Sequence, residues 1–140
     1  MSRILGVDLG ERRIGLALSD PTETVASPLT VLERTGDPAV DRRAILAAAA
    51  EHEASRIVVG MPRSLSGRAG PAARAAAAEV AALREVAPAG VVVEAFDERL
   101  TTVIAQRSLV EAGMKRADRR KVVDKVAAAV MLQSYLEHPR

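Results

Sequence analysis

The sequence has no cysteine and no tryptophan, and its aromatic residues are Phe96 and Tyr135 alone. Without cysteine, disulfides, thiolate nucleophiles and cysteine-ligated zinc are excluded, and a cytoplasmic setting is expected. With two aromatics, a grip on single strands by stacking bases on aromatic platforms is not a workable main mode. A nucleic-acid partner would be held by its phosphates instead. No apolar run approaches the roughly 18 residues of a membrane span. Asp8 interrupts the N-terminal apolar stretch, so neither a membrane anchor nor a signal peptide is expected. G-x-x-x-x-G-K-[ST] and G-x-S-x-G are both missing and there are two histidines. A phosphate-loop nucleotidase and a serine hydrolase therefore lack support.

What is present is a chain of 140 residues, expected to form one domain (1–140) that buries a core without staples. The net charge is +2, but the basic side is lopsided: 17 arginines against 3 lysines. Arginine's planar fork suits bidentate phosphate contacts, so the balance leans towards a nucleic-acid partner.

Along the chain, "ILGVDLG" and "RIGLALSD" read as two strands of a hairpin turning at Gly10 and Glu11, and "SPLTVLER" as a third strand. Asp37-Pro38 opens a helix running to about residue 54. "RIVVG" is a short apolar strand of the kind found inside parallel sheets. The loop "GMPRSLSGRAGP" leads to an alanine-rich helix over 71–87, and "VVVEAF" reads as another buried strand. "TTVIAQRSLVEAG" predicts a helix stopped by Gly113. Asp118 is positioned to cap the final helix, which continues to about Leu136. The sum is an α/β fold. Its five-stranded mixed sheet has three antiparallel strands followed by two parallel ones, with helices on both faces.

Three carboxylates stand out against that frame. Asp8 sits mid-strand, on the face of Ile4, Gly6 and Gly10, and if the register sets the small face of the partner strand (Gly15, Ala17, Ser19) beside it, it stands in a shallow depression. Alternatively, the strand ends at Val7 and Asp8 bonds within the turn. Asp97 and Glu98 close the fifth strand at its carboxyl end; one of them is able to cap the next helix, which leaves the other free. Asp124 shares a helical stripe with Ala127, Ala128, Met131 and Tyr135, although a pair with Arg120 or Lys121 along the helix is the ordinary alternative. Carboxylates converging on one sheet end repel one another unless cations join them, and oxygen-only ligation favours Mg²⁺ or Mn²⁺. Two such ions position a water and stabilise the leaving oxygen of a phosphodiester.

"GVDLGERRIGLALSD", "VVGMPRSLSGRAG", "DERLTT" and "VDKVAAAVMLQSYL" resemble, in order, the four signature segments of the YqgF-type (RuvX) family. That family is known as Holliday junction resolvases and as nucleases maturing pre-16S ribosomal RNA, and the likeness runs from residue 4 to residue 136. It implies a ribonuclease H-like fold, related to RuvC, and phosphodiester hydrolysis dependent on Mg²⁺ or Mn²⁺, with two ions expected. By position it implies that Asp8, Glu98 and Asp124 are the catalytic and metal-holding carboxylates, with Asp97 in reserve for the middle role. In the family a small residue usually follows the last aspartate, whereas Lys125 stands here, which bears on substrate contact.

The basic residues then acquire roles. Arg63 and Arg68, in a loop whose glycines allow close approach, are expected at phosphate. So are Lys115, Arg116, Arg119, Arg120 and Lys121 at the start of the last helix, together with Arg12 and Arg13 in the first turn. Arg99 and Thr101 are expected to orient the carboxylates or bind the scissile phosphate. His52 is expected at the surface. The expected partner is pre-rRNA or branched DNA, with no membrane. A homodimer is the form that concerted cutting of a symmetric four-way junction would need. A different class stays open: a non-catalytic nucleic-acid-binding or ribosome-assembly factor on the same fold. An actin- or sugar-kinase-like ATP-binding protein shares the first hairpin, but needs two such domains.

Overall fold

The computed structural model describes residues 3–62, 70–97 and 116–138, and between 116 and 124 it describes the helix backbone alone. The chain begins with three strands, β1 (Arg3–Leu9), β2 (Arg13–Ser19) and β3 (Ala26–Glu33). They are followed by α1 (Pro38–Glu51), β4 (Ala54–Met61), α2 (Pro71–Val86), β5 (Val92–Asp97) and α3 (Arg116–Glu137). The strand order is β3-β2-β1-β4-β5. β1–β2 and β2–β3 are antiparallel, while β1–β4 and β4–β5 are parallel, which is the mixed sheet expected from the pattern. The predicted helix over 101–113 lies outside the described residues.

Local chemistry sets the boundaries. Gly10 N–H donates to the Arg13 carbonyl at 2.9 Å, and a Cβ on Gly10 would stand 2.6 Å from that oxygen, so the first turn requires glycine. Asp37 caps α1 by accepting from Ala39 N–H at 3.0 Å, with Pro38 in the first helical position. One turn later, Asp41 is buried. It accepts from Thr35 N–H (3.0 Å) and Thr35 Oγ1 (2.8 Å), bonds that hold its carboxyl below the usual range.

Period-two alternation divides the core in two. Leu5, Val7, Ile14, Leu16, Ile57, Val59 and Val93 face α1 and α2, meeting Ile45, Ala49, Val80 and Leu83. On the other side Ile4, Ala17, Val58 and Phe96 face α3 through Ala127, Ala128, Met131, Leu132 and Tyr135.

Two expectations are corrected. "VVVEAF" is not a buried strand: β5 forms the sheet's edge, Val92 is 48% exposed, and the pattern read as interior reflects composition rather than coverage. Asp118 does not cap the last helix, because α3 already runs from Arg116 and takes Asp118 into its body.

Candidate functional site

Asp8 lies in β1, the sheet's central strand, one residue before the strand's end at Leu9. The strand keeps its register through Leu9–Ile14, so the reading in which it stops at Val7 is set aside. Asp8 is paired with Gly15, and Gly6 with Ala17, so the carboxylate shares its face with small residues, as the alternation predicted. It is 8% exposed and joins Ser19 and Asp41 as the buried polar side chains among the described residues. A carboxylate so placed is costly in its charged form unless cations or hydrogen-bond donors compensate. The pleat puts it on the same side as Ile4 and Val58, the side covered by α3.

The helix approaches that side closely. A Cβ built on Gly6 would come within 2.9 Å of Leu132 Cβ, so glycine at position 6 sets the height of α3 over the sheet. Tyr135 reaches Arg56, whose strand neighbour is Ile4, and Gln133 reaches Ala26 beside Ser19. The C-terminal turns of α3 therefore lie over the start of β1, and the helix runs back towards the carboxyl end of that strand. Helix position 124 falls on the stripe of buried residues 128, 131 and 135, two turns before Leu132. Asp8 and the backbone of residue 124 are thereby brought to one side and one end of the sheet.

The other predicted residues separate into groups. Arg13 opens β2 on the Asp8 side, because it alternates with Gly15 and Ala17, and it is partly buried; Arg12 is exposed in the turn. Arg116, Arg119, Arg120 and Lys121 belong to the first turns of α3, where the backbone alone is described. Glu98, Arg63, Arg68, Arg99, Thr101 and Lys115 lie outside the described residues. Asp97 is paired with Met61 and follows Phe96, so alternation puts it on the face opposite α3, away from Asp8. Among the described residues no group of three or more metal-ligating side chains gathers.

Sequence reasoning missed Arg34, Gln133 and the partners of Tyr135. Arg34 donates from Nε to the Gly10 carbonyl at 2.7 Å, and its N–H donates to the Arg12 carbonyl at 2.9 Å, pinning the turn beside Asp8. Only an arginine just past the third strand hinted at this. For Gln133 there was no signal.

The sequence profile of the RuvX family, described as Holliday junction resolvase, matches residues 2–138. The chain belongs to the RuvX family. A relative from Mycobacterium sp. (strain KMS), described as "Putative pre-16S rRNA nuclease", is 46% identical, covering 99% of this chain and 81% of its own. Another from Pelotomaculum thermopropionicum, under the same description, is 42% identical over 96% of this chain and 86% of that one. Among solved structures, T. thermophilus RuvC in complex with a Holliday junction substrate superposes with a TM-score of 0.56. It covers 97% of this chain and 94% of that chain at 19% identity. At that identity the likeness speaks for the fold, which is ribonuclease H-like, as the family resemblance implied. Among the described residues of this RuvX chain, no helix is long and apolar enough to cross a membrane.

Proposed function

We propose that this chain is a divalent-metal-dependent endonuclease, a single ribonuclease H-like domain that hydrolyses phosphodiester bonds in structured nucleic acid. The observation that carries the reading is Asp8: a buried carboxylate on the central strand, among small residues, beneath the helix that carries position 124. The setting fits a hard cation. The donors are carboxylate oxygens, and an aspartate buried to this degree gains most from a nearby positive charge.

Asp8, Glu98 and Asp124 would hold Mg²⁺ or Mn²⁺, and two ions suit the chemistry. Asp97, on the other face, is not needed for the middle role. When bound, such ions lower the pKa of water and stabilise charge on the leaving oxygen. The protein's own task is to hold three carboxylates at one sheet end and fix the substrate backbone. Arg12 in the first turn and Arg13 at the start of β2 lie at the same end of the sheet as Asp8. Arg63, Arg68, Arg99, Thr101, Lys115, Arg116, Arg120 and Lys121 extend that contact, with arginine forks gripping phosphate.

For the substrate, precursor 16S rRNA is favoured over a four-way DNA junction. The relatives at 42% and 46% identity carry the ribosomal description, while the junction is named by the family profile and by a neighbour that is similar at 19%. The RNA reading makes no demand for a dimer, whereas concerted cutting of a symmetric junction does. The cytoplasm is where either substrate is met. The test is Mn²⁺-dependent cleavage by the wild type and Asp8→Asn, with precursor rRNA and a four-way junction side by side. Cleavage of the RNA that is lost in Asp8→Asn is the expected result. Preferential cutting of the junction would reassign the substrate. Undiminished cleavage by Asp8→Asn would sink the site, and binding without cleavage by the wild type would favour a non-catalytic assembly factor.

A further inference from the structure

α3 is held to the sheet by a polar anchor on each flank of Leu132. On one flank, Gln133 Oε1 accepts from Ala26 N–H at 2.8 Å and Nε2 donates to the Thr24 carbonyl at 3.0 Å. Both partners are backbone groups of the β2–β3 turn and the start of β3. That turn is itself fixed by Asp20, whose Oδ1 accepts from Thr24 N–H and Val25 N–H, each at 2.8 Å. On the other flank, the Tyr135 hydroxyl donates to Glu94 Oε2 at 2.6 Å and accepts from Arg56 at 3.1 Å, while Arg56 pairs with Glu94. The Tyr135 ring stands edge-on to Phe96, with centroids 5.6 Å apart. Between the anchors Leu132 rests on Gly6.

The apolar contacts of α3 with Ile4, Ala17, Val58 and Phe96 seat the helix on the sheet. Burial is non-directional, so the fine adjustment of the helix angle is left to directional bonds. Hydrogen bonds are directional, and two of them on each flank leave one orientation. Orientation matters because of leverage. Position 124 lies nine residues before Gln133, about 13 Å along the axis, so a tilt of about 5° moves it by roughly 1 Å. A displacement of that size costs on the order of 100-fold where reacting groups must be aligned.

We propose that Gln133 and Tyr135 are positioning residues of the nuclease site: they set the angle of α3 and hence the distance from position 124 to Asp8. The inference rests on the reading of Asp8, Glu98 and Asp124 as one metal-holding set. It extends that set to two residues that touch neither substrate nor ion.

The test uses the full chain and four variants: Gln133→Leu, Tyr135→Phe, Asp8→Asn and Val80→Ala. Val80→Ala loosens the α2 side of the core and leaves α3 alone. The readouts are Mn²⁺ affinity by calorimetry, thermal unfolding, and kcat and KM on precursor rRNA. Gln133→Leu is expected to weaken Mn²⁺ binding and lower kcat by about 10- to 100-fold, as losing support behind a ligand does, with KM within about twofold. Tyr135→Phe keeps the ring and is expected to show a smaller loss of the same kind. Val80→Ala is expected to lower the melting temperature without moving Mn²⁺ affinity. A folded Gln133→Leu with wild-type Mn²⁺ affinity would overturn the proposal, as would an equal loss in Val80→Ala. Should Gln133→Leu not fold, Tyr135→Phe decides, and unchanged Mn²⁺ affinity there is the overturning result. Asp8→Asn separates the two levels. If it keeps wild-type affinity and cleavage, the metal-nuclease reading itself fails. If it loses both while the anchor variants lose neither, the positioning inference fails alone.

Discussion

The two faces of the sheet are built from different material. Towards α1 and α2 the strands present Leu5, Val7, Ile14, Leu16, Ile57 and Val59, large aliphatics interlocked with Ile45 and Leu83. Towards α3 they present Ile4, Val58 and Phe96, but around Asp8 the residues are small (Gly6, Gly15, Ala17 and Gly60), and the helix answers with Ala127 and Ala128 before its larger residues. The first face buries apolar area and specifies little else, because aliphatic packing tolerates conservative exchange. The second gives up area for proximity: small residues let a helix and a carboxylate share one end of the sheet, and polar anchors supply the orientation that packing does not. Stability and placement are thus divided between the faces, and that division can be broken experimentally.

The largest effect is expected from Asp8→Asn, which should lower Mn²⁺-dependent turnover by more than about 100-fold, the upper range for losing a mere supporting group. Its melt should remain cooperative, because asparagine keeps the size and shape of the aspartate. Steady-state cleavage and a thermal melt on one preparation check both halves. On the aliphatic face, Leu83→Ala should cost about 2–5 kcal/mol in urea unfolding while leaving Mn²⁺ affinity at the wild-type value. A shift in that affinity would mean that the faces are not independent. Gly6→Ala should cost less, about 1–3 kcal/mol, since the new methyl presses Leu132 and α3 outward. Unlike Leu83→Ala, it should also weaken Mn²⁺ binding, a difference calorimetry resolves.

The smallest effect concerns pH. The Thr22 hydroxyl and the Val25 and Thr24 N–H groups lower Asp20 from 3.8 to about 2. Because the folded value is the depressed one, Asp20 stabilises above pH 4, and its contribution is lost as pH falls from about 4 to about 2. Asp20→Asn should flatten that part of the melting-temperature profile and leave it parallel to wild type at neutral pH. An unchanged slope between pH 4 and 2 would count against the turn's role.

Much of this was legible in the residues. Alternation in "ILGVDLG" and "RIGLALSD" predicted both the hairpin and the small-residue neighbourhood of Asp8, because a two-residue period leaves one face for each set. The cap at Asp37 and the parallel crossovers followed from proline, glycine and the run of helices between apolar strands. β5 was misread because "VVVEAF" has an interior composition, and whether another strand lies beyond it is a tertiary matter that no local pattern carries. Asp118 is a similar case: an aspartate suits a capping position, but the helix takes in the two residues before it. Gln133 was invisible because its partners are backbone groups more than a hundred residues away in the chain. The register of β5 assigns Asp97 to the face away from α3, which its composition did not show, while Glu98 lies outside the described residues.

The seat of Leu132 on Gly6 ties the first strand to the final helix, and this bears on how the molecule is made. The β1–β2–β3 meander consists of near neighbours and is able to assemble early. The central strand then waits for β4 on its free edge and for α3 over its open face. Contacts of such long sequence separation form late and slowly. On the ribosome, Asp8 is made well before α3, and it gains the helix's cover only once α3 has followed. A nascent chain therefore passes through synthesis with its proposed metal-holding end unassembled, beside the very class of RNA that the finished protein is proposed to cleave.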